Sequence, residues 1–509
     1  MKKVLIKYKF EIIIFIIEAI CMTLELVASR VLSPYFGNSN IVWTSVIGII
    51  LLSSSLGNYF GGIIADKENN EKNLKRIIKL SSIFVLVIPI FQQIFLQVVS
   101  TLITNIKIGA IISTITLFFA PSLLLGLIIP IVLKIKIKDL KDTGKTTGRV
   151  YAISTIGGIS GTFLSGFVLI PNFGSVEILF VLSIILLILS LFIYPKLDKT
   201  TIIYFATILV IDIVLFTVYF SSNKSNGDKV LQGDMNAIVS YDTQYGRVLI
   251  SNKLYNNERV RILNIDSGFE SATYLDEDKV NELVFEYTKF YDLMFKSKNE
   301  VDDVLLIGGA GYSYPKYYIS HYPEKKMDVV EIDGEITNIA KKYFYLDKLI
   351  EDYNLNENKR LNLINEDGRT YLNRNTKKYD AILNDAFSGE NPAKTLTTIE
   401  TINSIKASLN PDGVYLTNII SALEGDKSKF IRAEVNTLKK VFKNVYIVRC
   451  QKDLKHDEKQ NLMVIATDAD LEMDENYDLK LDFDEIVLTD NYCPVEALTE
   501  YVNNLGKFH

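Results

Sequence analysis

A glycine turn and three carboxylates between Val304 and Asp385 are the residues whose types and spacing suit chemistry. The apolar run Val304-Leu305-Leu306-Ile307 breaks into Gly308-Gly309-Ala310-Gly311, and Val329-Val330-Glu331-Ile332-Asp333 closes a second run roughly 20 residues later, the layout of a nucleotide or nucleoside site. Gly308, Gly309 and Gly311 remove side chains where the backbone must approach a ligand, ahead of a helix N-terminus that favours negative or polar groups. Glu331 could accept both hydroxyls of a ribose, and Asp367, in Glu366-Asp367-Gly368, the exocyclic amine of adenine. Asp385 closes a fourth run and could hold an amine or take its proton. Each has a plainer reading: a tight strand-to-helix connection, a solvated strand-end acid, a turn-forming Asp, or an end-of-strand turn with Ser388 and Gly389. Only their joint order and spacing make the site.

The elements that must position these groups alternate. Strands are expected at 303–307, 327–332, 361–364, 380–384, 413–419, 443–449 and 461–466, with helices starting near Tyr314, Gly334, Thr398 and Lys427. This pattern implies a parallel sheet covered by helices on both faces, with ligands outside the carboxyl ends of the strands. Ahead of it, short runs such as Arg247-Val248-Leu249-Ile250-Ser251 and Arg261-Ile262-Leu263-Asn264-Ile265 suggest a small antiparallel cap. Val280, Leu283, Val284, Tyr287 and Phe290 then show helical spacing over 277–294.

The chain has 509 residues, too many for one core, and its apolar content is concentrated in the first 220 or so. About seven stretches there are long enough to cross a bilayer: 10–32, 41–64, 77–100, 108–134, 150–171, 176–194 and 201–220. The reading is a multi-pass transmembrane domain at 1–220, a polar linker at 221–228, a β cap with a helix at 229–296, and a catalytic α/β domain at 297–509. A net charge of −5 gives no basic face for nucleic acid, and the scattered cysteines and histidines indicate neither a disulfide framework nor a metal site.

Lysines cluster at Lys2, Lys3, Lys7 and Lys9, at Lys67 to Lys75, and at Lys134 to Lys145, which puts the N-terminus in the cytoplasm. Seven crossings would then leave the soluble domain outside, whereas nucleoside chemistry is cytoplasmic. The expectation is a cytoplasmic domain, with one stretch not crossing or re-entrant; the alternative is an external domain. Glu25 and Arg30 in the first stretch read as a structural pair with each other or with another helix, or as a polar pathway for a cationic substrate. Gly157, Gly158, Gly161 and Gly166 read as helix packing, and Pro121 and Pro130 interrupt the fourth stretch.

These residues resemble the polyamine aminopropyltransferases, or spermidine synthases, and among them the membrane-fused multi-pass subgroup. In the soluble half the resemblance runs through Gln244, Asp266-Ser267-Gly268, Leu275-Asp276-Glu277, the glycine turn, Val330-Glu331-Ile332-Asp333, Glu366-Asp367-Gly368, Asp385, Leu396-Thr397-Thr398, Pro411-Asp412-Gly413-Val414 and Leu488-Thr489-Asp490-Asn491-Tyr492. In the membrane half it runs through Glu25 to Arg30, Pro34-Tyr35-Phe36-Gly37 and Gly57 to Asp66. The resemblance implies a Rossmann-like, class I methyltransferase-like domain. It also implies transfer of an aminopropyl group from decarboxylated S-adenosylmethionine, a co-substrate rather than a bound cofactor, to a diamine such as putrescine. Glu331 would hold the ribose, Asp367 the adenine, Gln244 the donor's tail side, and Asp385 the amine.

Three positions depart from the family. Gly311 stands where an Asp would grip the donor's amino group, Ser388 where a second acid would bind the amine, and Val280 where a tyrosine is expected. Glu270, Glu282, Glu390, Ser388, Asp490 and Tyr492 are the candidates to serve the acceptor instead. Losing the amine-gripping acids also admits methyl transfer from intact S-adenosylmethionine. A polyamine transporter or sensor with a non-catalytic domain is the third reading, and a homodimer is compatible with all three.

Overall fold

The computed structural model describes residues 8–503 apart from 38–39, 68–69, 104, 138–141, 194–198, 267, 298–299, 389–390 and 483–484. The chain divides into two units, 1–225 with 240–247, and 226–239 with 248–509.

The first unit begins with helices α1 (Lys9–Phe36), α2 (Asn40–Ala65), α3 (Asn70–Leu102), α4 (Ile106–Lys136), α5 (Thr143–Asn172) and α6 (Ser175–Ile193). These six are long and apolar enough to cross a membrane. Helices suit that task because every main-chain polar group in their interior is satisfied within the segment. The seventh expected stretch lies in α7 (Lys199–Leu231), where many side chains of 199–224 fall outside the described residues. That helix also runs through 221–228, so the expected linker is helical: it contains no proline, and one internal glycine costs a helix only about 1 kcal/mol.

Gly157 and Gly161 let α5 lie against α1, since a Cβ at these positions would stand 2.8 Å from the Phe15 Cα and 2.5 Å from the Ala19 Cα. Gly166, expected to share that packing, faces open space. In α4 the turn widens over Ile115–Phe119 ahead of Pro121, and the helix breaks at Leu127 ahead of Pro130, because proline supplies no N–H to the ladder. Glu25 and Arg30 do not pair. Five residues apart on a helix they point about 140° away from each other. Arg30 instead donates to the Thr243 carbonyl and, at 2.7 Å, to the Gln244 carbonyl, while Glu25 makes no hydrogen bond or ion pair among the described residues.

In the soluble half, β1 (Ile238–Asp242), β2 (Arg247–Tyr255), β3 (Glu258–Ile265) and β4 (Gly268–Tyr274) form the small sheet in that order, β2–β3 and β3–β4 being antiparallel. The single helix expected over 277–294 is replaced by two 3₁₀ segments, Glu277–Lys279 and Glu286–Lys296. In the longer one Thr288, Tyr291 and Met294 are the buried residues, and a spacing of three lines up one face of a 3₁₀ helix.

The larger sheet contains β5 (Asp303–Ile307), β6 (Lys326–Glu331), β7 (Leu361–Asn365), β8 (Tyr379–Asn384), β11 (Leu409–Ser421), β12 (Asn444–Arg449) and β13 (Gln460–Thr467), after a short ribbon of β9 (Phe387–Ser388) and β10 (Asn391–Pro392). Its order is β12-β13-β11-β8-β5-β6-β7. Helices α8 (Ser313–His321), α9 (Gly334–Tyr343), α10 (Gly368–Arg374), α11 (Ile399–Ser408) and α12 (Lys429–Lys439) lie between the strands, four of them at or within two residues of the expected starts; α10 and two short helices between β6 and β7, Leu346–Asp352 and Leu355–Asn358, were not expected. The sheet is not wholly parallel: β13 runs antiparallel to β11 and β12. Only residues 450–459 join β12 to β13, and a parallel crossover needs a dozen residues or more.

Candidate active site

Strands β5, β6 and β7 are laid down in one direction from the sheet centre, and β8 and β11 in the other. The loops leaving β5 and β8 therefore diverge and open a crevice at their carboxyl ends. The glycine turn and Asp385 both fall there. Gly308 has φ +96°, and a Cβ on it would stand 2.5 Å from the Asp385 carbonyl oxygen. The Asp385 N–H donates to the Ile307 carbonyl at 2.9 Å, so the two loops lie edge to edge.

Glu331 ends β6 and is buried. Its Oε2 accepts the main-chain N–H groups of Gly309 at 2.8 Å and Ala310 at 3.1 Å, and its Oε1 that of Asp333 at 3.0 Å. Burial pushes its carboxyl above the usual range, against the pull of those three N–H donors. Two donors fill the lone pairs of Oε2, so one position on Oε1 is left for a ligand hydroxyl in this arrangement. Asp367 caps α10, its Oδ1 accepting the Thr370 N–H at 2.8 Å, and its Oδ2 has no partner among the described residues. Gly311 has no room for an acid: a Cβ there would meet the Ser271 Oγ at 2.6 Å. Ser271 and Ser313 bond to each other at 2.7 Å, closing β4 onto the start of α8.

Asp385 is half-buried. Its Oδ2 accepts the Tyr287 hydroxyl at 3.1 Å and its Oδ1 the Asn418 amide at 3.2 Å. Burial raises its pKa, while the Asn418 and Tyr287 hydrogen bonds hold it down. The Tyr291 hydroxyl faces the same carboxylate, and its ring packs edge-on against Tyr287 and Tyr314. Two buried polar atoms here lack a partner, the Tyr291 hydroxyl and the Asn418 Oδ1. Tyr287, Tyr291 and Asn418 went unnoticed in the sequence as site residues. Asn418 had a signal, as a polar residue near the end of the strand that neighbours β8.

The other candidates are placed unequally. Glu270, in β4, is near enough for its charge to act on Tyr287. Ser388 lies in β9, its backbone registered opposite Asn391, and Glu390 lies outside the described residues. The Glu282 Oε1 lies 3.3 Å from the His321 Nε2. Asp490 accepts from Thr398 at 2.6 Å and from Arg369 at 3.0 Å, and Tyr492 is exposed in a turn with Thr489. Gln244 is exposed in the hairpin that counts with the first unit.

A seven-stranded sheet of this order, with one reversed strand and an acid after each of β6, β7 and β8, defines a Rossmann-like domain of the class I methyltransferase kind. Residues 288–452 match the family model described as the spermine/spermidine synthase domain. The polyamine aminopropyltransferase of Vibrio vulnificus is 36% identical over 157 residues, covering 30% of this chain and 47% of that protein. The Leptospira interrogans polyamine aminopropyltransferase is 23% identical over 392 residues, 73% of this chain and 71% of that one. A probable spermidine synthase from Corynebacterium glutamicum superposes with TM-score 0.39 at 19% identity, over 46% of this chain and 80% of its own. The chain spans about half the length of the first curated relatives it matches.

Proposed function

We propose that the soluble half transfers an aminopropyl group from decarboxylated S-adenosylmethionine to a diamine such as putrescine. The observation that carries this reading is the surroundings of Asp385. A carboxylate with an unpartnered buried amide oxygen beside it suits an ammonium group, which supplies donors and accepts none. Across the Gly308 contact lie the glycine turn, Glu331 and Asp367, which suit a nucleoside. The amine nitrogen would bond to the carbon beside the sulfonium as the carbon–sulfur bond breaks. The electron pair passes to sulfur, and methylthioadenosine leaves. The proton lost by the amine goes to Asp385 and then to water, so that positioning and deprotonation are the enzyme's tasks. Purified protein given both substrates releases methylthioadenosine, and no release with any of several diamines rejects the reading.

A second reading, methyl transfer from intact S-adenosylmethionine, is favoured by the closed space at Gly311, where no acid can grip an amino group. Calorimetry with the two donors separates the readings.

We further propose a multi-pass protein of the cell membrane. Lys9 with Glu71, Lys134 with Asp66, and Lys136 with Glu11 gather lysines at one end of the first unit, the end the charge rule assigns to the cytoplasm. The cytoplasmic placement of the soluble half rests on its donor. Labelling a cysteine introduced at exposed Phe269 from either side decides it.

A further inference from the structure

We infer that Tyr287 and Asn418 are positioning residues, which hold the Asp385 carboxylate ionised and aimed at the amine. The inference rests on the transfer proposed above and goes beyond it in assigning two residues from separate elements to one task. Tyr287 comes from the long 3₁₀ segment and Asn418 from β11, and each donates to a different oxygen of Asp385, at 3.1 Å and 3.2 Å. With both oxygens held, the carboxylate cannot rotate, and each keeps a lone pair for the amine. The Asn418 amide adds a second function, because its own Oδ1 is buried without a partner beside the group it fixes. A donor that served only to satisfy Asp385 would leave no such atom. An arriving ammonium supplies the missing hydrogen bond.

The groups that act on Asp385 come from several elements. Tyr287 and Tyr291 face it from the 3₁₀ segment and Asn418 from β11; the Asp385 charge in turn acts on Cys450, just past β12, as does Glu286, and Glu270 in β4 acts on Tyr287. Burial raises the carboxyl, and the donated hydrogen bonds oppose it. A base works only when deprotonated, so weakening these bonds moves the acid limb of activity to higher pH.

The experiment measures kcat/KM for methylthioadenosine release against pH on the full chain in detergent or nanodiscs, with decarboxylated S-adenosylmethionine and putrescine. Tyr287→Phe and Asn418→Leu are each expected to move the acid limb up by about one pH unit, the scale of a hydrogen bond to a charged group, with activity recovering toward wild type above it. Asn418→Leu is also expected to raise the KM for the diamine, whereas Asn418→Gln restores part of it. Asp385→Asn separates the claims. If it abolishes turnover while both single variants lose activity evenly at every pH, the positioning inference is overturned and the transfer stands. If Asp385→Asn turns over normally, Asp385 is not the base and the inference falls while the transfer stands; if wild type releases nothing with any diamine, the transfer and the inference fall together. Should Tyr287→Phe not fold, judged by its melting curve, the Asn418 pair carries the decision.

Discussion

The Oε2 of Glu331 accepts the Gly309 main-chain N–H at 2.8 Å, so the acid that the sequence assigns to a ligand also clips the loop that would cradle it. Glu331→Gln keeps the volume but sets a donor against at least one N–H. Donor affinity is expected to fall about tenfold or more, since a charge-assisted hydrogen bond is worth roughly 1.5–3 kcal/mol. Glu331→Ala falls further. Calorimetry with decarboxylated S-adenosylmethionine measures both, and unchanged affinity in Glu331→Ala would show that the residue serves neither loop nor ligand.

Gly311→Asp restores the acid that the family resemblance implies, yet the Ser271 Oγ would stand 2.6 Å from its Cβ. The single variant is expected to lose stability by about 1–3 kcal/mol, as for other overpacked sites. Ser271→Gly with Gly311→Asp removes the clash and should shift preference toward the decarboxylated donor. Comparing melting temperatures and affinities for the two donors across the three variants checks it.

Glu434, in α12, is 1% exposed with no partner for Oε2, and burial drives its pKa well up. A carboxyl whose folded-state pKa is raised contributes fully below its unfolded value of 4.5, and that contribution is lost as pH rises through the folded value. Glu434→Met removes the unpartnered oxygen at similar volume. It should stabilise the soluble half by on the order of 1–3 kcal/mol, more at alkaline than at acid pH. Thermal unfolding at pH 5 and pH 9 reads the difference.

Asp490 is bound to Arg369 and Thr398 at 3.0 Å and 2.6 Å, which makes it a brace between chain segments. Asp490→Ala is expected to lower stability by roughly 1 kcal/mol or less, because the pair is partly solvated, and to leave the KM for the amine unchanged. A selective rise in that KM would return Asp490 to the acceptor side.

Much of the soluble half is legible along the chain because the relevant signals are local. Val304 to Ile307 form a buried strand since four consecutive apolar residues suit a sheet covered on both faces, and Gly308 ends it because the next step needs a positive φ. Glu331 ends β6, and Asp367 and Asp385 follow the ends of β7 and β8 within two residues. The 3₁₀ segment was not legible: Tyr287, Phe290 and Tyr291 follow a helical period, whereas the face buried beside β11 and β13 is Thr288, Tyr291 and Met294, at a period of three. The reversal of β13 followed from a ten-residue connection whose length mattered more than its composition.

By itself, then, the sequence determined the elements, the apolar stretches and the four strand-end positions, since each depends on neighbours within a few turns or one strand. Tertiary structure decided which polar groups meet. It brought Asn418 and Tyr287 to Asp385 across separations of 33 and 98 residues, engaged Asp490 elsewhere, and filled the space beside Gly311 with Ser271. Hydrogen bonds and close packing act over about 3 to 4 Å, and no spacing along the chain specifies which distant residues come that near.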